Sequence, residues 1–291
     1  MVCRHPADVG RVGALGLQRD MSPSEEGEFG VFSRAAPTYN AVGPRHFTYY
    51  AQRLVEFVGV RGGDRVLDVA TGTGEVLLAA AEHMGETGQI VGIDLAEPML
   101  EQAAATVRNR QVENAELRVM DAEKLDFPAE SFDLVLCSFG LSSLPQKGLA
   151  VAGFRRVLRP GGRLGLVDAF GWYFQHDPRW QWQEDVFRSF GALRENDQED
   201  NKGATLAAIV ERAEFTGVEL IEDSYDLIFH DEEEWWRWAW SHGTRRLFEA
   251  VPPSKLGELR RQLGSGLPTC REGDGLIHGT MRATLVRAQR S

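Results

Sequence analysis

Residues 66–74, Val66-Leu67-Asp68-Val69-Ala70-Thr71-Gly72-Thr73-Gly74, set a carboxylate in an apolar run and two glycines in the turn that follows. A missing Cβ at such a turn lets a ligand lie against the backbone, so the segment has the form of a nucleotide-type loop. It is not a dinucleotide fingerprint, which needs a third Gly or Ala where this chain has Leu77, and no Gly-Lys-Ser/Thr follows to make a P-loop. Twenty residues after Gly74, Val91-Gly92-Ile93-Asp94 ends in a second acid. A carboxylate there accepts hydrogen bonds from both hydroxyls of a ribose, whereas its bland reading is a solvated acid beside a tight turn. Met120-Asp121-Ala122 sets a third acid where an adenine amino group is read, or where a helix is capped. Ser131-Phe132-Asp133 and Cys137-Ser138-Phe139-Gly140 open and close a further apolar run.

These residues need a sheet whose strands all end on one side. Arg65–Val69, Ile90–Leu95, Glu116–Met120, Phe132–Ser138 and Arg163–Phe170 read as buried strands. Helical periodicity fills the intervals at Glu75–His83, Glu97–Asn109 and Lys147–Leu158, the last ending before a Pro160-Gly161-Gly162 turn. Such alternation implies a parallel sheet, and open α/β sheets bind ligands at the strands' carboxyl ends. Before the first strand, Phe47, Tyr50, Leu54, Phe57 and Val58 recur at helical spacing.

Beyond Phe170 the composition changes, because all seven tryptophans lie there: Trp172, Trp180, Trp182, Trp235, Trp236, Trp238 and Trp240. Helices are expected at Arg179–Phe190, Ala204–Phe215, Glu232–Ala250 and Ser254–Leu263, with strands at Val218–Phe229 and Leu276–Ala288. In a continuous helix Glu232–Ala250, Trp235, Trp238 and His242 share one face, and Trp236, Trp240 and Leu247 share another. Two aromatic faces need two partners. One meets the core; the other lines a pocket for an apolar molecule, or is buried against a second copy of the chain in a homo-oligomer. Trp172, Trp235, Trp238 and His242 are the candidate pocket wall. His242 and His46 are the candidate general bases, and the alternative for each is a histidine that only satisfies a local hydrogen bond.

Composition bounds the rest. Of 291 residues, 43 are acidic and 32 basic, a formal charge of −11 that repels a phosphate backbone, so nucleic acid is not an expected partner. No apolar run reaches the roughly eighteen residues that a membrane span requires. Cys3, Cys137 and Cys270 are scattered and odd in number, which fits neither a disulfide framework nor a paired metal site and suits a reducing cytoplasm. Residues 1–28 lack periodicity and are expected to form a mobile tail, with Met21 an alternative start.

Taken in order, Leu67-Asp68-Val69-Ala70-Thr71-Gly72-Thr73-Gly74, Gly92-Ile93-Asp94 with Met99-Leu100, Asp121-Ala122-Glu123, Ser131-Phe132-Asp133, Ser138-Phe139-Gly140-Leu141 and Arg156-Val157-Leu158-Arg159-Pro160-Gly161-Gly162 resemble the class I S-adenosylmethionine-dependent methyltransferases. Within them the segment from Phe32 to Phe170 most resembles the ubiquinone/menaquinone-biosynthesis methyltransferase-like family. The resemblance implies a doubly wound α/β fold, a Rossmann-like, seven-stranded, mostly parallel sheet whose last strand is antiparallel. It would occupy residues 29–291, with helical lid insertions at about 172–201 and 231–273.

The resemblance also implies the cofactor, S-adenosylmethionine, and its contacts. Ala70, Thr71, Gly72, Thr73 and Gly74 would hold the methionine moiety, with Asp68 reaching its ammonium through water. Asp94 would bind the ribose, Leu95 and Met99 would sandwich the adenine, and Asp121 with the Ala122 amide would read its edge. Ser138 and Phe139 would close the methionine end, and Tyr39 would cover the cofactor, unless that ring simply packs on the core. Where the quinone enzymes carry Arg-Asn this chain has Ser142-Ser143, which argues against a quinone acceptor. The expected reaction is methyl transfer to a small, largely apolar or aromatic acceptor of secondary metabolism, by O- or C-methylation. The alternatives are a cyclase-type enzyme that keeps the cofactor as scaffold, and a cofactor-bound interaction protein without catalysis.

Overall fold

The computed structural model describes residues 30–169, 174, 177–193 and 206–291. The expected N-terminal tail, Trp172 and parts of the first lid insertion lie outside them. A seven-stranded sheet runs β3-β2-β1-β4-β5-β7-β6, built from β1 (Arg65–Val69), β2 (Gln89–Asp94), β3 (Ala115–Val119), β4 (Phe132–Ser138), β5 (Leu158–Asp168), β6 (Phe215–Phe229) and β7 (Ile277–Arg290). The first five pair in parallel, and β7 is antiparallel to both β5 and β6. The inner strands β1 and β4 are covered on both faces, which explains why they read as unbroken apolar runs rather than alternating ones.

Helices α1 (His46–Val58) and α2 (Glu75–Met84) lie on one face of the sheet and contribute Tyr50, Leu54, Val55, Leu77 and Met84 to the larger core. α1 stops at Gly59, whose φ of 71° is the left-handed cap that glycine adopts without strain. α4 (Lys147–Val157) and α6 (Leu206–Arg212) build a second core on the opposite face with Leu67, Val135 and Leu166. α3 (Glu97–Asn109) follows β2 and gives Met99 to a small third cluster with Ala36 and Ala96, against which Phe32 and Tyr39 pack.

Where a lid is expected the chain forms a group of helices, α5 (Trp182–Ser189), α7 (Glu232–Trp240), α8 (Arg245–Glu249) and α9 (Leu256–Gly266). It shares the larger core with α1. Directional bonds fix it to the sheet: Trp180 Nε1 donates to the His278 carbonyl at 2.7 Å, and Asp177 accepts from the Thr280 amide at 3.0 Å while pairing with Arg179. No helix among the described residues is long and apolar enough to cross a membrane.

Two expected boundaries are corrected. The helix expected over Glu232–Ala250 is two helices, α7 and α8, parted at Ser241–Thr244. The Ser241 hydroxyl and His242 Nδ1 both reach the Trp238 carbonyl at 2.7 Å, taking the acceptor that a continuing helix would use. The Pro160-Gly161-Gly162 turn lies within β5 instead of before it, at a register shift against β4 between Phe132 and Leu134. Gly161 has φ +73°, the backbone freedom such a bulge requires.

Candidate functional site

At the carboxyl ends of β1, β2 and β4 lies a pocket enclosing about 650 Å³ of empty space, part of it open to solvent. Its wall includes Tyr39, Ala70, Gly72, Asp94, Leu95, Met99, Asp121, Ala122, Ser138 and Phe139, ten of the residues singled out in the sequence. Phe32, Met120, Gly140, Ser143 and Leu144 complete it. Nothing in their residue types announces a ligand wall; they line it because of where the adjoining turns place them.

The glycine turn is shaped by backbone that side chains tolerate poorly. Gly72 and Gly74 have φ +54° and +93°, and the non-glycine residues Ala70 and Phe139 also stand at φ +55° and +53°. Such strain persists only where packing over-determines it, and here it sits on two adjoining turns in the wall of one pocket. A Cβ built on Gly140 would lie 2.5 Å from the Ala70 Cβ, so the turn after β4 touches the turn after β1 only because residue 140 is glycine.

Asp94 Oδ2 accepts from the Gly72 amide and Oδ1 from the Ala96 amide, each at 2.9 Å. These bonds splay the carboxylate between the two turns, and burial holds its pKa above the usual carboxylate value. Asp68 Oδ2 accepts from the Thr71 hydroxyl at 2.6 Å, whereas Asp68 Oδ1 and Thr73 Oγ1 are buried without hydrogen-bond partners among the described residues. Burial pushes the Asp68 carboxyl up to about 7, against the lowering effect of its Thr71 and Leu77 hydrogen bonds. Asp121 Oδ1 accepts from the Glu123 amide at 2.9 Å and pairs with Lys124, so it caps the following turn while also facing the pocket.

Tyr39 stacks on Phe47, with ring centroids 5.0 Å apart. Its neighbour Asn40 donates to Thr48 Oγ1 at 3.0 Å, and Thr48 donates to Glu75 at 2.7 Å. This relay ties the tyrosine loop to the residue directly after Gly74, a link that reading the sequence did not find.

Behind Phe139 and Phe47 stands an aromatic partition. His46 lies 4.0 Å from Phe47 and 5.8 Å from Trp238, and His242 lies 4.3 Å from Trp238, all between ring centroids. Both histidines are buried, and burial lowers the pKa of each to about 3. A carbonyl only accepts, so His242 Nδ1 bears the proton that it donates to the Trp238 carbonyl, and Nε2 then accepts from the Thr244 hydroxyl at 3.0 Å.

Trp238 also borders a second, smaller pocket, about 260 Å³ of space between atoms with part of it open to solvent and room inside for about one water, lined by Phe174, Gln183, Phe187, Trp235, Trp238, Ala239, Thr244 and Phe248. Trp235 and Trp238 thus share a cavity as their spacing suggests, while His242 sits in the partition. Trp236 and Trp240 form the outer aromatic face: both pack on Phe248, and the Arg260 and Arg245 guanidinium groups lie 5.1 and 5.4 Å over their rings. That face is partly covered from within the chain.

The pocket suits a zwitterionic nucleoside. Two acids of its wall, Asp94 and Asp121, are held at strand ends by backbone amides, and a glycine turn leaves its backbone open; Asp68 Oδ1 and Thr73 Oγ1, without partners among the described residues, belong to that turn region but not to the wall. Cys137 and Cys270 are buried free thiols, and no cluster of metal-ligating side chains occurs among the described residues.

Comparison with known proteins agrees. Residues 66–162 match the methyltransferase domain family model. The chain is 31% identical to nocamycin O-methyltransferase of Saccharothrix syringae over 274 residues, covering 88% of this chain and 96% of that protein. It is 30% identical to demethylmenaquinone methyltransferase of Listeria monocytogenes, over 69% of this chain and 92% of the relative. In fold it is similar to the solved YcgJ protein of Bacillus subtilis, with a TM-score of 0.55 at 21% identity, covering 83% of this chain and 98% of that one. The chain therefore belongs to the class I S-adenosylmethionine-dependent methyltransferases, of the ubiquinone/menaquinone-methyltransferase-like type, with S-adenosylmethionine as methyl donor.

Proposed function

We propose that this enzyme methylates a small, largely apolar or aromatic molecule of secondary metabolism, on oxygen or carbon. The observation that carries the reading is the aromatic, water-poor interior beginning at Phe139, where the pocket wall ends and the partition begins. A relative named for O-methylation of nocamycin, aligned over nearly its whole length, supports an acceptor of that kind.

In this reading the turn from Ala70 to Gly74 holds the methionine end, with Asp68 reaching the ammonium. Asp94 holds the ribose, Leu95 and Met99 enclose the adenine, Asp121 and Ala122 read its edge, and Ser138, Phe139 and Tyr39 close the site. When bound, S-adenosylmethionine supplies an already activated methyl group for in-line displacement. The work left to the chain is alignment and exclusion of water, which suffice for a carbanion-like carbon or a phenolate. His46 and His242 are neutral at physiological pH. A buried neutral imidazole with its Nδ1 proton committed to a carbonyl serves to orient Trp238 rather than to charge during turnover.

The test is native mass spectrometry with S-adenosylmethionine, followed by incubation with a metabolite extract. Appearance of S-adenosylhomocysteine with a product heavier by one methyl group is expected. A product of unchanged methyl count would establish the cyclase-type alternative, and cofactor binding without any product would establish a non-catalytic role.

A further inference from the structure

Two consecutive residues of α1 grip two consecutive residues of the loop before it. Phe47 stacks on Tyr39, with ring centroids 5.0 Å apart, and Thr48 Oγ1 accepts from Asn40 Nδ2 at 3.0 Å. Of these four residues Tyr39 alone lines the cofactor pocket.

The direction of the bonds is set from the far end. Thr48 has one hydroxyl proton and gives it to Glu75 Oε2 at 2.7 Å, so towards Asn40 it can only accept. Asn40 must then turn its amide nitrogen to Thr48, and its Oδ1 is left buried without a partner among the described residues. The residue is 5% exposed and stands at φ +50°, a left-handed backbone that asparagine tolerates better than most side chains. Arg45 donates to its carbonyl. A strained residue with a buried, unpaired oxygen costs stability, and what it achieves is to fix the backbone next to Tyr39. Glu75 opens α2 directly after Gly74, the glycine at φ +93° that ends the turn. The two bonds in series thus join parts of the pocket region far apart in sequence, and the charged end makes the Thr48–Glu75 bond the stronger of the two.

We propose that Asn40, Thr48 and Glu75 are positioning residues for the cofactor: none lines the pocket, and they act by holding Tyr39 where it retards cofactor release. The inference rests on the reading in which Tyr39 closes the site.

The experiment measures S-adenosylhomocysteine binding to the full chain by calorimetry, and its release by rapid-filtration chase of the radiolabelled ligand. The variants are Tyr39→Ala, Thr48→Val, the two combined, and Thr48→Ser. Thr48→Val keeps the shape and removes both bonds. It should weaken binding about threefold to tenfold, almost entirely through faster release. Thr48→Ser keeps the hydroxyl and should bind as the unaltered protein does. In the Tyr39→Ala background Thr48→Val should change nothing, because no ring remains to be held. An effect of Thr48→Val as large without Tyr39 as with it would overturn the positioning role and leave Thr48 a part in the fold alone. Unaltered affinity and release in Thr48→Val, with Tyr39→Ala weakened, would overturn the relay and keep Tyr39 as the cover. Unaltered affinity in Tyr39→Ala would overturn the cover itself, and the inference with it. If Thr48→Val does not fold, Glu75→Gln carries the same cycle, since it removes the charge that commits the Thr48 proton.

Discussion

Thr71 donates its hydroxyl proton to Asp68 Oδ2 across 2.6 Å, leaving the other oxygen of that carboxylate buried and without a partner among the described residues. The group pays for its position with a carboxyl pushed up to about 7. A carboxyl that binds its proton more tightly in the folded protein gives stability that is complete below its unfolded value near 4 and lost as pH rises through the folded value. Relative to Asp68→Asn, the unliganded protein should therefore lose melting temperature as pH rises from about 5 to about 8. Saturating S-adenosylhomocysteine, whose ammonium favours the charged carboxylate, should shrink that difference and release a proton near pH 7. Calorimetry in buffers of different ionisation enthalpy detects the release. No buffer dependence in the unaltered protein would remove Asp68 from the ammonium site.

The two buried histidines act in the opposite sense. With pKa values lowered to about 3, His46 and His242 favour folding fully above their unfolded value near 6.5, and that contribution falls as pH drops from there toward 3. Each contributes a slope of up to about 1.4 kcal/mol per pH unit in that interval. Urea titrations at pH 7, 6 and 5 should show His242→Gln losing less stability than the unaltered protein over this range. The pH profile of turnover should show no histidine limb between pH 5 and 8. A limb near 6.5 that disappears in His242→Gln would restore His242 as a general base.

Asp94 holds two turns as well as facing the pocket. Asp94→Ala should weaken S-adenosylhomocysteine binding by about 1.5–3 kcal/mol, the scale of hydrogen bonds to a charged group. It should also release the Gly72 and Ala96 amides, so the melting temperature falls too. Isothermal titration of Asp94→Ala beside Asp94→Asn, which keeps the shape and loses the charge, separates the two effects. An unchanged dissociation constant in both would take Asp94 out of the cofactor contacts.

Trp238 is 2% exposed and packs on Phe229, Phe174 and His242. Trp238→Ala should cost about 3–5 kcal/mol of stability. Gly43, at φ +66°, leaves room for the indole: a Cβ there would lie 3.1 Å from Trp238 Cδ1. Gly43→Ala should destabilise by more than about 1 kcal/mol through backbone strain together with that contact. Chemical denaturation measures both; a neutral Gly43→Ala would mean that the tyrosine loop does not rest on Trp238.

Strand-end acids were legible in the sequence because the fold itself sets their positions. Once Val91-Gly92-Ile93-Asp94 reads as a parallel strand, Asp94 must emerge at the binding edge. β4 and α3 have the bounds their patterns predict, Phe132–Ser138 and Glu97–Asn109, because turn residues frame an apolar run in one and a helical period in the other. What periodicity missed was local competition for hydrogen bonds. Ser241 and His242 end α7 by bonding the Trp238 carbonyl, a choice made by side-chain rotamers. Met120, Ser143 and Leu144 were equally invisible as pocket wall, since only the docking of turns against one another brings them to the opening. Gln183 Nε2 and Trp235 Nε1, both without partners among the described residues, come from two helices far apart in sequence, so no spacing rule points to their shared surroundings.

β7 sits between β5 and β6, although it is the last of the seven strands to be synthesised. On a growing chain β5 has one flank unpaired until Ile277–Arg290 has left the ribosome, and β6 has no strand beside it until the same moment. The parallel half can collapse early around the glycine turn, while the lid tryptophans wait for the sheet that anchors them. Such long-range pairing slows folding and leaves an open strand edge exposed to other chains. Yield of soluble enzyme should therefore depend on translation pace and chaperone supply more than on the strength of the finished core.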